Sequence, residues 1–235
     1  MELKIIARMR SLFPDKYGIP RQSGLVEGLH STIVFEPEYR NPDALRGIED
    51  YSHLWLIWGF SETGRDSWSP TVRPPRLGGN TRMGVFATRS TFRPNALALS
   101  CVQFESLEAT SVGTVIHVSG ADLMDGSPIY DIKPYLSFTD AHPEAKNGFA
   151  DAVRDHALNV AIPEDLLQIV PEHLWSALKG VLAQDPRPAY HDDPDRIYGF
   201  LFGGFNVRFW VRGNDLKVIE IENAEGKVGC DDVCV

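Results

Sequence analysis

Short apolar runs, separated by Gly, Pro, Asn and Asp, set the rhythm of the first 140 residues: Ile5–Ala7, Leu29–Phe35, His53–Phe60, Gly84–Ala87, Ala96–Phe104 and Thr114–Val118. Runs of this length bounded by turn formers predict strands. Val115–Val118 alternates and is rich in β-branched residues, which suits a pleated, half-buried surface. His53–Phe60 (HLWLIWGF) is apolar throughout and predicts a central strand covered on both faces. Asn41–Leu45 predicts a short helical turn with an Asn cap and Pro at the first helical position. Many short strands with one brief helix predict a closed or nearly closed barrel.

The pattern changes after Asp140. Residues 141–159 (AHPEAKNGFADAVRDHALN) are polar and weakly periodic, and predict a linker or lid. Pro163–Val170 and Pro171–Ala183 predict two helices; in the second, Leu174, Leu178, Val181 and Leu182 recur at helical spacing. Asp185–Tyr190 interrupts with two prolines. Ile197–Phe202, Asn206–Val211 and Leu216–Ile221 then predict three strands, the last two joined through Gly213-Asn214-Asp215. The expected architecture is mainly β: a small β-barrel domain over residues 1–140, and an α+β domain over 141–235 that combines a helical hairpin with a small antiparallel sheet.

Charge changes this picture. The net charge of −9 argues against a polynucleotide partner, but residues 1–140 account for only −2 of it and residues 141–235 for −7. Between Thr71 and Arg93 stand Arg73, Arg76, Arg82, Arg89 and Arg93 with no acid. Phosphates are engaged by such segments. The amino-terminal MELKIIARMR lacks the apolar stretch of a secretory signal, and no run reaches the about 18 apolar residues of a spanning helix, so a cytoplasmic protein without a membrane partner is expected. The cysteines are Cys101, Cys230 and Cys234. The CDDVC pair has no second pair to complete a zinc tetrahedron, so no metal is expected and the tail reads as reduced and exposed. Neither G-x-G-x-x-G nor a P-loop occurs, which argues against a dinucleotide-type Rossmann site.

Four segments have compositions that packing alone does not explain. Phe13–Gln22 (FPDKYGIPRQ) is a stiff turn that ends on the donors of Arg21 and Gln22. Val72–Ser100 pairs Pro74-Pro75 and Gly78-Gly79 with arginines, and Arg89 and Arg93 suit a carboxylate or phosphate, or else cap carbonyls or pair with the acids of the other segments. Asp122–Leu136 gathers Asp122, Asp125 and Asp131 around an Asp-Gly turn; such acids suit ribose hydroxyls or an ammonium group, while Asp125 equally suits turn capping. Asp185–Phe209 sets Arg187, Tyr190 and Asn206 among prolines and aromatics, a composition suited to an unstacked base. His30, His53 and His117 read as structural, and no nucleophile elbow, H-E-x-x-H or Cys/His pair is present. Residue chemistry alone stops at a loop-built site of arginines and acids.

Taken together, FPDKYGIPRQ, YSHLWLIWGF, VRPPRLGGNTRMGVFATRSTFRPN, DLMDGSPIYDIKPYL and AQDPRPAY resemble the TrmO family, also called TsaA-like or YaeB-like, over about Ile5 to Val211. AQDPRPAY and FNVRFWV resemble its bacterial branch, which carries a C-terminal domain. The resemblance implies a homodimeric β-barrel methyltransferase that uses S-adenosylmethionine. The implied reaction methylates N6 of N6-threonylcarbamoyladenosine at position 37 of tRNAs reading ACY codons. It implies cofactor contacts at Pro20, Arg21, Gln22, Ser61, Glu62, Arg89 and Leu99, and from Asp122 through Leu123 and Met124 to Asp125. Many relatives carry His where this chain has Ser61. Arg73, Arg76, Arg93 and Arg187 are expected to meet RNA or the threonyl carboxylate, and Tyr190 and Asn206 to orient the carbamoyl group. Two alternatives stay open: an RNA-binding module without catalysis, against which the acids beside the basic face count, and a methyltransferase for another RNA or a small molecule.

Overall fold

The computed structural model describes residues 2–60, 68–74, 81–153, 157–187 and 193–224. Eight strands come first: β1 (Ala7–Arg10), β2 (His30–Phe35), β3 (His53–Gly59), β4 (Thr71–Val72), β5 (Met83–Gly84), β6 (Leu97–Thr110), β7 (Gly113–Ser119) and β8 (Pro128–Pro134). β4 and β5 form a ribbon of their own. The other six run antiparallel in the order β1-β2-β7-β6-β3-β8, and β8 returns to β1 with Ala7 opposite Ile129, so the sheet closes on itself. Side chains alternate across each strand. Met9, Ile33, Leu54, Leu56, Val102, Ile116 and Ile129 are fully buried inside. Asn41 caps the Pro42–Leu45 turn, its side chain accepting from the Asp43 N–H at 3.0 Å.

Three departures from the pattern have physical causes. β8 is absent from the apolar runs because prolines stand at both its ends, where a ladder bond is dispensable. Of the expected Gly84–Ala87 run only Gly84 is strand, as the end of β5, and Val85–Ala87 makes a 3-10 turn instead. β3 is not covered alike on both faces: Leu54 and Leu56 enter the core, whereas Trp55 and Ile57 face outward and stay half-buried.

The remaining elements are α1 (Ser137–Asp140), β9 (Asn159–Ala161), α2 (Glu164–Leu167), α3 (Trp175–Ala183), β10 (Tyr198–Phe202), β11 (Phe205–Arg212) and β12 (Asp215–Asn223). The second sheet runs β10-β11-β12-β9. It is not purely antiparallel, because β9, at the end of the expected linker, pairs parallel with β12. The expected hairpin contains a single helix of useful length: Pro171 disfavours helical geometry at Val170, so α2 stays one turn long. Ala177, Leu178, Val181 and Leu182 of α3 pack on Phe200, Phe202 and Phe209.

This second core also takes in Phe13, Val26 and Leu29 from the chain between β1 and β2. Phe13 meets Phe202 edge to face at 5.7 Å, and the Gly203 N–H donates to the Leu12 carbonyl at 2.8 Å. Gly18, with φ +80°, lies under the Phe200 ring, where any Cβ would collide. At Gly180 on α3 a Cβ would come within 2.7 Å of Val26 Cγ1. Residues 12–29 are therefore a strap clamped between the barrel and the second sheet.

Candidate active site

The same strap delivers its stiff turn, Ile19–Gln22, to a cavity of about 1010 Å³. The outer face of β3 supplies Trp55 and Ile57, and β6 supplies Leu97, Ala98, Leu99 and Ser100. Thr88–Arg93 and the segment after β7 add Arg89, Arg93, Asp122 and Met124. Trp55 is oriented from behind. Its indole N–H donates to Asp140 Oδ2 at 2.9 Å, and the Leu136 N–H donates to the same oxygen at 3.0 Å. These bonds, the backbone one foremost, hold the Asp140 carboxyl below the usual range.

Charge is distributed unevenly among the described lining residues. Lys16, Arg21, Arg89 and Arg93 are cations, and Asp122 is the single acid. Burial pushes the Asp122 carboxyl above its ordinary value. The Ser100 hydroxyl, the Asp122 and Ser23 backbone N–H groups and the Arg89 guanidinium oppose that shift. Ser100 Oγ donates to Asp122 Oδ1 at 2.5 Å and accepts from Trp58 Nε1 at 2.9 Å. Arg89 donates to Gln22 Oε1, which ties the loop to the strap. Arg93 Nη1 donates to the carbonyls of Val85 (3.1 Å) and Thr88 (2.8 Å), and its guanidinium lies 5.4 Å from the Phe86 ring centre. It caps carbonyls of its own loop, and carbonyl capping was one of the roles the sequence allowed.

Pro20, Arg21, Gln22, Arg89, Leu99, Asp122 and Met124 thus meet at one cavity although about 100 residues separate the first from the last. Leu99 is 55% exposed at its mouth. Leu123 and Asp125 alternate away from it. Leu123 is 0% exposed in the barrel core. Asp125 caps the chain after β1, accepting from the Ser11 N–H at 3.1 Å and from Arg10 Nη1 at 3.4 Å. Arg187 and Asn206 are not among the lining residues: Arg187, 13% exposed, makes a two-bond fork to Asp185 at 2.8 Å each, and Asn206 sits on β11 opposite Leu201 and Glu222. Arg73 is exposed just past β4. Ser61, Glu62, Arg76, Tyr190, Cys230 and Cys234 lie outside the described residues. Sequence reasoning missed Trp55, Trp58 and Ser100. Strict alternation within HLWLIWGF would have turned Trp55 toward the site, and a lone serine in an apolar strand was the signal for Ser100.

The profile of the tRNA-methyltransferase O N-terminal domain matches residues 8–141, and that of the TrmO C-terminal domain matches residues 158–224. The chain belongs to the TrmO family. Among TrmO relatives, the tRNA (adenine(37)-N6)-methyltransferase of Escherichia coli K12 is 39% identical over 92% of this chain and 96% of its own. A Pseudomonas aeruginosa protein, provisionally named S-adenosylmethionine-dependent methyltransferase RcsF, is 38% identical over 94% of this chain and 97% of its own. A crystal structure of TrmO from P. aeruginosa superposes with a TM-score of 0.77 at 33% identity, covering 95% of this chain and 97% of that one. Similarity over both parts of the chain is what the tandem domain profiles require.

Proposed function

We propose that this chain transfers the methyl group of S-adenosylmethionine to N6 of adenine 37 in tRNA, and that its preferred substrate is the N6-threonylcarbamoyl form in tRNAs reading ACY codons. The observation that carries the proposal is the convergence of Pro20–Gln22, Arg89, Leu99 and Asp122 on one cavity, where Asp122 is the single acid among the described lining residues.

The residues fit such a cofactor. When bound, the cofactor supplies a methyl group already activated by a sulfonium cation. Asp122 suits its ammonium group or ribose hydroxyls, Arg21 and Arg89 its carboxylate, and Trp55, Ile57 and Leu99 the adenine face. A cavity of this size has room for a flipped base beside the cofactor. Arg73, Arg76 and Arg93 engage phosphates or the threonyl carboxylate and Tyr190 orients the carbamoyl group, whereas Arg187, held by Asp185, and Asn206, on β11, stand apart from this cavity. The strand-rich part over residues 1–140 acts as the catalytic domain and residues 141–235 as the domain that helps choose the RNA, within a cytoplasmic homodimer.

Mass spectrometry of tRNA nucleosides from a strain lacking the gene tests the reaction. Loss of the methylated threonylcarbamoyl nucleoside, restored by this chain, is expected; an unchanged nucleoside profile overturns the assignment. Calorimetry separates an enzyme from an RNA-binding module, since micromolar affinity for S-adenosylmethionine is expected. Arg89→Ala should weaken that affinity about tenfold or more, the loss of a charge-assisted bond.

A further inference from the structure

Ser100 is 2% exposed on β6, and its hydroxyl stands between two side chains rather than against its own backbone. A hydroxyl has one proton and two lone pairs, whereas an indole N–H can only donate. With Trp58 Nε1 donating to Ser100 at 2.9 Å, the serine proton is directed to Asp122, 2.5 Å away. The bonds therefore run one way, from Trp58 through Ser100 to Asp122. Trp58 is itself packed among Leu54, Leu56 and Ile129 in the barrel core, so the start of the chain is rigid.

We propose that Ser100 is the positioning residue of the cavity's carboxylate: it holds Asp122 in one orientation, with Trp58 setting the direction of the bond. The proposal rests on reading the cavity as the cofactor site, since a donor-binding carboxylate has to be charged and aimed. Among the described residues, the groups facing Asp122 are Arg89 from the Thr88–Arg93 loop, the Ser23 N–H from the strap and Ser100 from β6, with Lys16, Arg21 and Arg93 elsewhere in the lining. Burial acts against all of them. A carboxylate balanced in this way is sensitive to the loss of a single hydrogen bond.

The decisive experiment is a carboxyl-carbon NMR titration of Asp122 in the ligand-free protein, comparing wild type with Ser100→Ala, Ser100→Thr and Trp58→Phe. Removing a bond to the charged form favours the neutral one, so Ser100→Ala should titrate at higher pH than wild type. Ser100→Thr should return toward wild type, and Trp58→Phe should move in the same direction as Ser100→Ala but less. If Ser100→Ala titrates with wild type or below it, the proposal is overturned; should that variant fail to fold, an unmoved titration in Trp58→Phe overturns it equally. Calorimetry with S-adenosylmethionine adds a second readout. Ser100→Ala should bind about tenfold more weakly at neutral pH, and the gap should narrow as pH rises and both carboxylates ionise. A moved titration with no cofactor binding by wild type at any pH would sink the cofactor reading and leave the role of Ser100 standing. Cofactor binding by wild type with an unmoved titration would do the reverse.

Discussion

The two cores of this molecule are built on opposite plans. The barrel core is mostly aliphatic and is filled by its own strands and their connections, with Met9, Ile33, Leu54, Leu56, Val102, Ile116 and Ile129 from β1, β2, β3, β6, β7 and β8. The second core is aromatic, with Tyr198, Phe200, Phe202, Phe205 and Phe209 on one sheet, and it takes in Phe13, Val26 and Leu29 from outside. A closed sheet covers itself. A four-stranded open sheet under one nine-residue helix does not, and the strap makes up the difference. That strap also carries Pro20–Gln22 into the cavity, so packing in the second core and geometry at the site are mechanically connected.

Phe202→Ala tests this connection most severely. Truncating a fully buried aromatic should cost about 3–5 kcal/mol in denaturant unfolding, and cofactor affinity should fall with it because Phe13 loses its edge-to-face partner. Unchanged affinity in the folded variant would show that the two regions are independent. Gly180→Ala is milder. Its new methyl crowds Val26, and overpacking of about 1–3 kcal/mol outweighs the gain of roughly 1 kcal/mol in helix propensity; a more stable variant would mean that the strap gives way. Asp122→Asn should separate stability from function. The Asp122 carboxyl is raised above its unfolded value by burial, so its contribution to stability is fully present below the ordinary carboxylate range and is lost as pH rises through the raised value. Asn removes that loss. The variant should therefore melt higher than wild type at neutral pH, while binding S-adenosylmethionine worse. Asp140→Asn should have the smallest effect. Its carboxyl is held low by the Leu136 N–H and by Trp55, so the support it gives is present above the ordinary carboxylate range and fades as pH falls through the lowered value. The expected sign is a change in Trp55 emission, since the indole loses its charged acceptor, and an unchanged spectrum would show that packing alone orients Trp55.

The same contrast explains what the sequence could disclose. Most strands with period-2 or continuous apolar runs were legible, although β1 begins where the expected Ile5–Ala7 run ends and Gly84–Ala87 is mostly a turn; the Asn41 cap and the Gly213-Asn214 hairpin were legible too, because each depends on neighbours in the chain. β8 and β9 were not, since their pairing partners are β1 and β3 for one and β12 for the other, and their own residues carry prolines or too few apolar positions. The site was half legible. Arg89 and Asp122 advertise themselves as charges in a loop or turn, but Trp55 becomes a site residue only when strand alternation assigns it a face, and Trp58 and Ser100 only through the hydrogen bonds that lead to Asp122. Leu123 and Asp125 show the converse, because proximity to Asp122 in sequence says nothing of direction across an extended segment.

The borrowed strap has a kinetic consequence. Phe13, Val26 and Leu29 leave the ribosome more than 120 residues before Leu158, the first residue of their eventual surroundings beyond the strap itself. The last barrel strand ends at Pro134, so the barrel can close while these three side chains still lack their cover. Between those moments the nascent chain presents an apolar strip that must be shielded, by a chaperone or by transient collapse onto the barrel. Maturation of the cavity then waits for α3 and the second sheet, and a partly made chain has a finished barrel without a finished site.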